Sequence, residues 1–309
     1  MKIIFFGSSN FAIPILDVLI KEEDVALIVT QPDRKKGRDL AMGHTPVKDY
    51  AEKNKIKIYQ PLRVNDSASI AYLKKADADL FVVVSFGQIL SRAVLAVPKK
   101  FSLNVHASLL PKYRGAAPIN RAIAGGEKAT GVTIMRMNEK MDEGDIVLQG
   151  SVRIDDEDDA VSLAEKLSRK GAELVRETLR AIRNNELDSA PQDSAKATYA
   201  PKLKKDDGLI DWTGSAEEIR GRVRAFVPWP GCFTYLDKKM LKIWKAEPAG
   251  APAEDARPGE VLKADKDGIL VKTGKGVLRI KELQLEGSRR MTAEEFIAGH
   301  KLTKFFLRK

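Results

Sequence analysis

The chain has 309 residues, with 53 Lys and Arg against 43 Asp and Glu, for a formal net charge of +10. Its 43% hydrophobic and 31% charged residues exclude a disordered or collagen-like chain, and its length suggests two domains. The single cysteine, Cys232, excludes an intramolecular disulfide framework and any cysteine-built zinc cluster. The positive balance fits either a polyanionic partner such as nucleic acid or a charged, soluble surface. The opening MKIIFFGSS has no basic stretch ahead of a long apolar run, and no segment approaches the ~18 apolar residues of a membrane span. A cytoplasmic protein with no membrane partner is therefore expected.

The elements alternate from the start. Residues 2–6, KIIFF, read as a buried strand ending at Gly7. Residues 10–21 place Phe11, Ile15, Val18 and Leu19 at helical spacing, with Pro14 in the first turn, where its missing N–H has no helical partner to lose. A second strand follows at 25–30, a helix near 46–53 and a short strand at KIYQP. Further strands are predicted at 78–85, 101–106, 131–137 and 146–154, and a long helix at 159–183. This is an α/β domain with a mostly parallel, Rossmann-like sheet over 1–188. Residues 189–206 are polar, poorly periodic and read as a linker. From 207 to 309 a short helix at 215–226 is followed by five short strands, CFTYL, KMLKIWKA, GEVLKAD, GILVKT and VLRIKELQL, which suggest a small β-barrel domain.

Several chemistries lack their signatures. The first turn, Gly7-Ser8-Ser9-Asn10, has one glycine of the three in a dinucleotide fingerprint, and no phosphate-binding P-loop or nucleophile elbow occurs. His44, His106 and His300 are the only histidines and none are four apart, so no metal site is expected. The informative segment is SLNVHASLLPKYRGAAPIN, 102–120. Asn104 and His106 are two apart at a strand end, so an amide and an imidazole project from one face. Such a pair can polarise a carbonyl and stabilise its oxyanion; a polar strand end with satisfied hydrogen bonds gives the same spacing. Asp142 and Asp145 sit in a glycine-containing turn, where a carboxylate could orient an imidazole or simply bond its own backbone.

These residues together carry a resemblance. Asn104-x-His106, Ser108-Leu109-Leu110-Pro111, Tyr113-Arg114-Gly115 and Asp142-x-Gly144-Asp145 resemble the 10-formyltetrahydrofolate-dependent formyltransferases. FFGSSNFA, TQPDRKKGR, VVVSFGQIL, GLIDW and RAFVPWPG extend the likeness over essentially the whole chain and point to the tRNA-directed members. The resemblance implies 10-formyltetrahydrofolate as co-substrate, no metal, and formyl transfer to the α-amino group of methionine on initiator tRNA, by a monomer. It implies catalytic roles for Asn104, His106 and Asp142. Folate contacts are implied at Phe86, Gly87, Gln88, Ile89 and Leu90, and at Ser108, Leu109, Leu110 and Pro111. The basic loop 31–45 resembles an element that enters the acceptor-stem end, with Arg34, Lys35, Lys36 and above all Arg38 as contacts. His44 has no place in that pattern. The second domain resembles an oligonucleotide/oligosaccharide-binding-like barrel, and Lys204 and Lys205 could extend a tRNA-facing surface. Residues 206–309 carry a net +4 and the first 205 a net +6, so neither domain alone holds the charge. Trp212, Trp229 and Trp244 are expected to pack internally, and Cys232 to be an inert strand residue. Two rivals remain: a formyltransferase acting on a sugar or nucleotide, and a catalytically silent RNA-binding protein.

Overall fold

The computed structural model describes residues 1–36, 41–250 and 255–300. Contacts divide the chain into two compact units. One comprises Met1–Pro118, Ala129–Arg153 and Ala164–Ala200; the other comprises Ile119–Lys128, Ile154–Leu163 and the chain from Pro201.

The elements run β1 (Lys2–Gly7), α1 (Ile13–Glu22), β2 (Asp24–Val29), a hairpin of β3 (Arg34–Lys36) and β4 (Ala41–Gly43), then α2 (Pro46–Lys53), β5 (Ile58–Tyr59) and α3 (Ser67–Lys74). They continue as β6 (Leu80–Val84), α4 (Arg92–Leu95), β7 (Phe101–His106), α5 (Pro118–Ala124), β8 (Ala129–Arg136), β9 (Ile146–Arg153) and α6 (Ala160–Asn184). Seven strands form one sheet in the order β5-β2-β1-β6-β7-β8-β9. The first five are parallel, and β8 and β9 join antiparallel. The Rossmann-like expectation holds for this unit. β1 and β6 are fully buried runs, IIFFG and LFVVV, as parallel strands covered on both faces must be. Pro14 opens α1 and Pro46 opens α2, where Thr45 caps the first turn by accepting from Lys48 N at 3.1 Å.

Strand order reverses between β1 and β6. One side of β1 continues to β2 and β5, the other to β6 and β7. That reversal opens a crevice at the carboxyl ends of the strands, the usual ligand position in an open α/β sheet. Ser8 Oγ spans it by donating to Phe86 O at 3.2 Å.

The second unit contains α7 (Ala216–Ala225), β10 (Cys232–Leu236), β11 (Lys239–Ala249), β12 (Val261–Asp265), β13 (Gly268–Lys272), β14 (Val277–Leu285), β15 (Met291–Thr292) and α8 (Ala293–Gly299). Its strands make one antiparallel sheet, β10-β11-β14-β13-β12, with β15 added to β14. Reciprocal capping boxes start both helices: Ser215 with Glu218 and Thr292 with Glu295. Trp212 is buried and donates Nε1–H to Thr234 Oγ1 at 3.1 Å, and Trp244 is half-buried beneath Arg290. Trp229 departs from expectation: it is 53% exposed. Among the described residues, no helix is long and apolar enough to cross a membrane.

Candidate active site

β7 ends at the crevice, and its last turn of pleat presents Asn104 and His106 on one face, as their spacing predicts. The turn after β8 brings Asp142 to both. Asn104 Nδ2 donates to Asp142 Oδ1 at 3.4 Å, and His106 Nδ1 lies 3.6 Å from Asp142 Oδ2. The His106 and Asp142 side chains are 7% and 14% exposed, so little water screens this pair.

The imidazole tautomer follows from its other contact. His106 Nε2 is 3.0 Å from Tyr113 O, and a carbonyl can only accept, so Nε2 carries the hydrogen. In the neutral ring Nδ1 is then the unprotonated nitrogen, and it is the one beside Asp142. A proton taken up at Nδ1 is shared with a carboxylate held in place by Gly115 N, which donates to Asp142 Oδ2 at 2.8 Å. Chemically, such a pair can accept one proton and return it.

Asp142 adopts a left-handed backbone (φ 54°), which Asp tolerates better than most residues. Gly144 is required by close approach: a Cβ there would stand 1.6 Å from Arg136 O. The D-x-G-D pattern therefore encodes a turn folded tightly onto the end of β8.

A cavity of about 470 Å³ opens on this group, a size suited to a drug-sized ligand. Asn104, His106 and Asp142 line it together with Phe86, Gly87, Gln88, Ile89 and Leu90, and with the apolar side chains of Val83, Met135, Met137 and Met141. The 86–90 loop is anchored from outside. Gln31 Nε2 donates to Phe86 O (3.1 Å), Asn65 Nδ2 donates to Ile89 O (2.9 Å), and Gln88 Oε1 accepts from Val64 N (2.9 Å). Gly87, at φ 87°, turns the loop over the crevice.

Ser108, Leu109, Leu110 and Pro111 are not among the residues lining the cavity. They are organised by Thr133, whose hydroxyl donates to Ser108 O (2.7 Å) and accepts from Leu110 N (3.1 Å) and Gln149 Nε2 (2.8 Å). Of the basic residues, Arg34 is exposed beside a second hollow lined by Gln31, Pro32, Gly43, Thr45 and Gly87. Lys35 and Lys36 lie in β3, and Arg38 lies outside the described residues. Lys204 and Lys205 are exposed in the second unit. His44 pairs with Asp49 (3.1 Å) and Asp33 (3.6 Å).

Sequence reasoning missed the supports of this site. Gln192, read as linker, donates Nε2–H to both Asp142 O (2.8 Å) and Gly144 O (2.7 Å). Arg114, 2% exposed, donates from Nε (3.0 Å) and Nη2 (2.8 Å) to Gln192 Oε1. The signal in the sequence was Arg114 itself, inside the Tyr113-Arg114-Gly115 motif.

A family model described as "Formyl transferase" matches residues 1–179, and one described as "Formyl transferase, C-terminal domain" matches 202–301. The methionyl-tRNA formyltransferase of Geobacter metallireducens is 46% identical over 303 residues, covering 98% of this chain and 96% of that protein. Among solved structures, the sugar 3N-formyl transferase WlaRD superposes with a TM-score of 0.67 at 22% identity, over 94% of this chain and 99% of that one. HypX from Aquifex aeolicus gives 0.65 at 17% identity over 97% of this chain, which spans about half (49%) of HypX. These two structures share the fold.

Proposed function

Because the chain belongs to the formyl transferase family, we propose that it moves the formyl group of 10-formyltetrahydrofolate onto the α-amino group of methionine esterified to initiator tRNA, yielding N-formylmethionyl-tRNA for translation initiation. The convergence of Asn104, His106 and Asp142 on one largely apolar cavity carries this reading.

The folate supplies an activated formyl group; the chain supplies binding, orientation and proton handling. The cavity suits a flat, partly apolar ring system, with the 86–90 backbone along its edge and Met135 and Met137 against its face. Asn104 has a second N–H beyond the one spent on Asp142, and donates it where negative charge gathers on the formyl oxygen. His106 Nδ1 with Asp142 takes the proton released by the attacking amine and delivers it to the departing nitrogen. Holding both reactants against this group supplies the proximity term. No nucleophilic side chain is needed. We assign Ser108–Pro111 to the floor that supports the folate site. Arg34, Lys35, Lys36, Arg38, Lys204 and Lys205 are assigned to tRNA phosphates, with 1–188 as the catalytic domain, 189–206 as the linker and 207–309 as the tRNA-directed domain. We assign the protein as a monomer working in the cytoplasm.

The test is formylation of charged initiator tRNA by purified protein with 10-formyltetrahydrofolate. Rapid formylation of that tRNA, with free methionine a poor acceptor, is expected. Turnover of a nucleotide-linked amino sugar with none of charged tRNA would overturn the reading.

A further inference from the structure

The segment between the two family-model matches does more than connect them. From Ala190 to Ala200 it bonds to both the 113–115 backbone and the Asp142 turn. Ala190 and Ile146 exchange backbone hydrogen bonds at 2.8 and 2.9 Å. Thr198 accepts from Arg114 N with its carbonyl (2.8 Å) and from Tyr113 N with its hydroxyl (2.8 Å), and Ala200 N donates to Arg114 O at 2.7 Å. These bonds fix the 113–115 backbone, whose Tyr113 carbonyl sets the His106 tautomer and whose Gly115 N–H binds Asp142.

Gln192 completes the arrangement on the opposite side. Its amide nitrogen has two N–H donors, and both are spent on the Asp142 turn, at the carbonyls of Asp142 and Gly144. Its oxygen receives two donors from the buried Arg114 guanidinium, which also meets Glu143 at 3.3 Å. The planar arginine fork fixes which end of the amide is oxygen, so the N–H pair must face the turn. Asp142 sits at a positive φ that its own backbone disfavours. Gln192 on its carbonyl and Gly115 N–H on its carboxylate hold this residue from two sides, with Oδ2 3.6 Å from His106 Nδ1.

We infer that Gln192, oriented by Arg114, is a positioning residue for formyl transfer: it acts through Asp142, locking the carboxylate against His106 so that the pair handles the proton as one unit. The inference rests on the proposed reaction, but its geometric core can be read without turnover.

The experiment compares the parent with Gln192→Glu and Gln192→Ala. Gln192→Glu matches the side chain in shape and keeps an oxygen for Arg114 but presents an acceptor where two N–H groups stood, so it separates positioning from packing. In charged-tRNA formylation, kcat is expected to fall at least about tenfold in Gln192→Glu, with KM for folate and tRNA within about twofold. The acid-side midpoint of its kcat–pH profile is expected to move by about half a unit or more. Nitrogen NMR of His106 supplies the second readout. The parent is expected to show Nε2–H as the dominant neutral tautomer, and both variants a changed Nδ1 environment. A kcat within twofold of the parent would overturn the inference. So would a loss of rate that tracks the unfolded fraction with the pH midpoint and the His106 nitrogens unmoved. If the parent itself fails to formylate charged tRNA, the reaction assignment falls, and the NMR comparison still decides whether Gln192 sets the His106–Asp142 geometry.

Discussion

His106 and Lys205 are both assigned to the same reaction, yet they occupy opposite surroundings. His106 is buried, with one ring nitrogen fixed by Tyr113 O and the other facing Asp142. Lys205 opens a short 3-10 turn, exposed to water. The contrast separates two kinds of function. Proton transfer needs atoms held within a few tenths of an ångström in a poorly screened site, and His106 and Asp142 each have named partners there. Phosphate binding needs charge within reach, and an exposed lysine supplies it without any fixed geometry. Damage to the first should be severe and insensitive to salt; damage to the second should be mild and salt-dependent.

The contrast is sharpest at the dyad. His106→Ala is expected to lower kcat by about a thousandfold, within the range of lost general acid–base catalysis, with the folded state intact. Steady-state kinetics beside circular dichroism checks it; a drop of less than tenfold would erase the distinction between the two regions.

Thr133 comes next, because it supports the floor and not the chemistry. Thr133→Val preserves volume but leaves Leu110 N and Gln149 Nε2 without their buried acceptor and Ser108 O without its donor. A loss of about 2–4 kcal/mol in unfolding free energy is expected. Chemical denaturation measures it, and an unchanged midpoint would show that the SLLP segment is held by other means.

The basic residues should respond more weakly. Lys204→Ala combined with Lys205→Ala is expected to raise KM for tRNA several-fold at low salt and to flatten the decline of affinity with salt by up to about two counterions. Folate binding should not change. An identical salt slope in parent and variant would remove these lysines from the phosphate contacts.

The smallest effect is expected at Cys232. Burial pushes its thiol up to about 12, far above the pH of ordinary labelling, so the thiol stays protonated and unreactive. A disulfide reagent at pH 8 should react only as the protein unfolds; rapid labelling of the folded chain would show that β10 opens locally.

How much of this was legible in the sequence depends on the separation over which a contact acts. Asn104 and His106 follow from strand alternation alone. The buried runs of β1 and β6 follow from continuous apolarity, and the start of α1 from Pro14. Asp142 was found as a turn carboxylate, but its partnership with His106 depends on β8 returning antiparallel to β7, which no local pattern states. Gln192 was invisible: it lies in a polar, aperiodic stretch, and its bonds reach 50 residues back to Asp142 and 78 to Arg114. The helix α4 escaped for a simpler reason, since four residues are too few to establish a helical period. Trp229 was expected to pack, and it is exposed.

The central claim is that His106 and Asp142 act as one proton-handling unit. A double-mutant cycle on kcat with His106→Ala and Asp142→Ala tests it most directly. If the pair is one unit, either single substitution removes nearly all of its contribution, and the double variant should lie within about threefold of the slower single. Independent, multiplicative losses from the two substitutions would contradict the account.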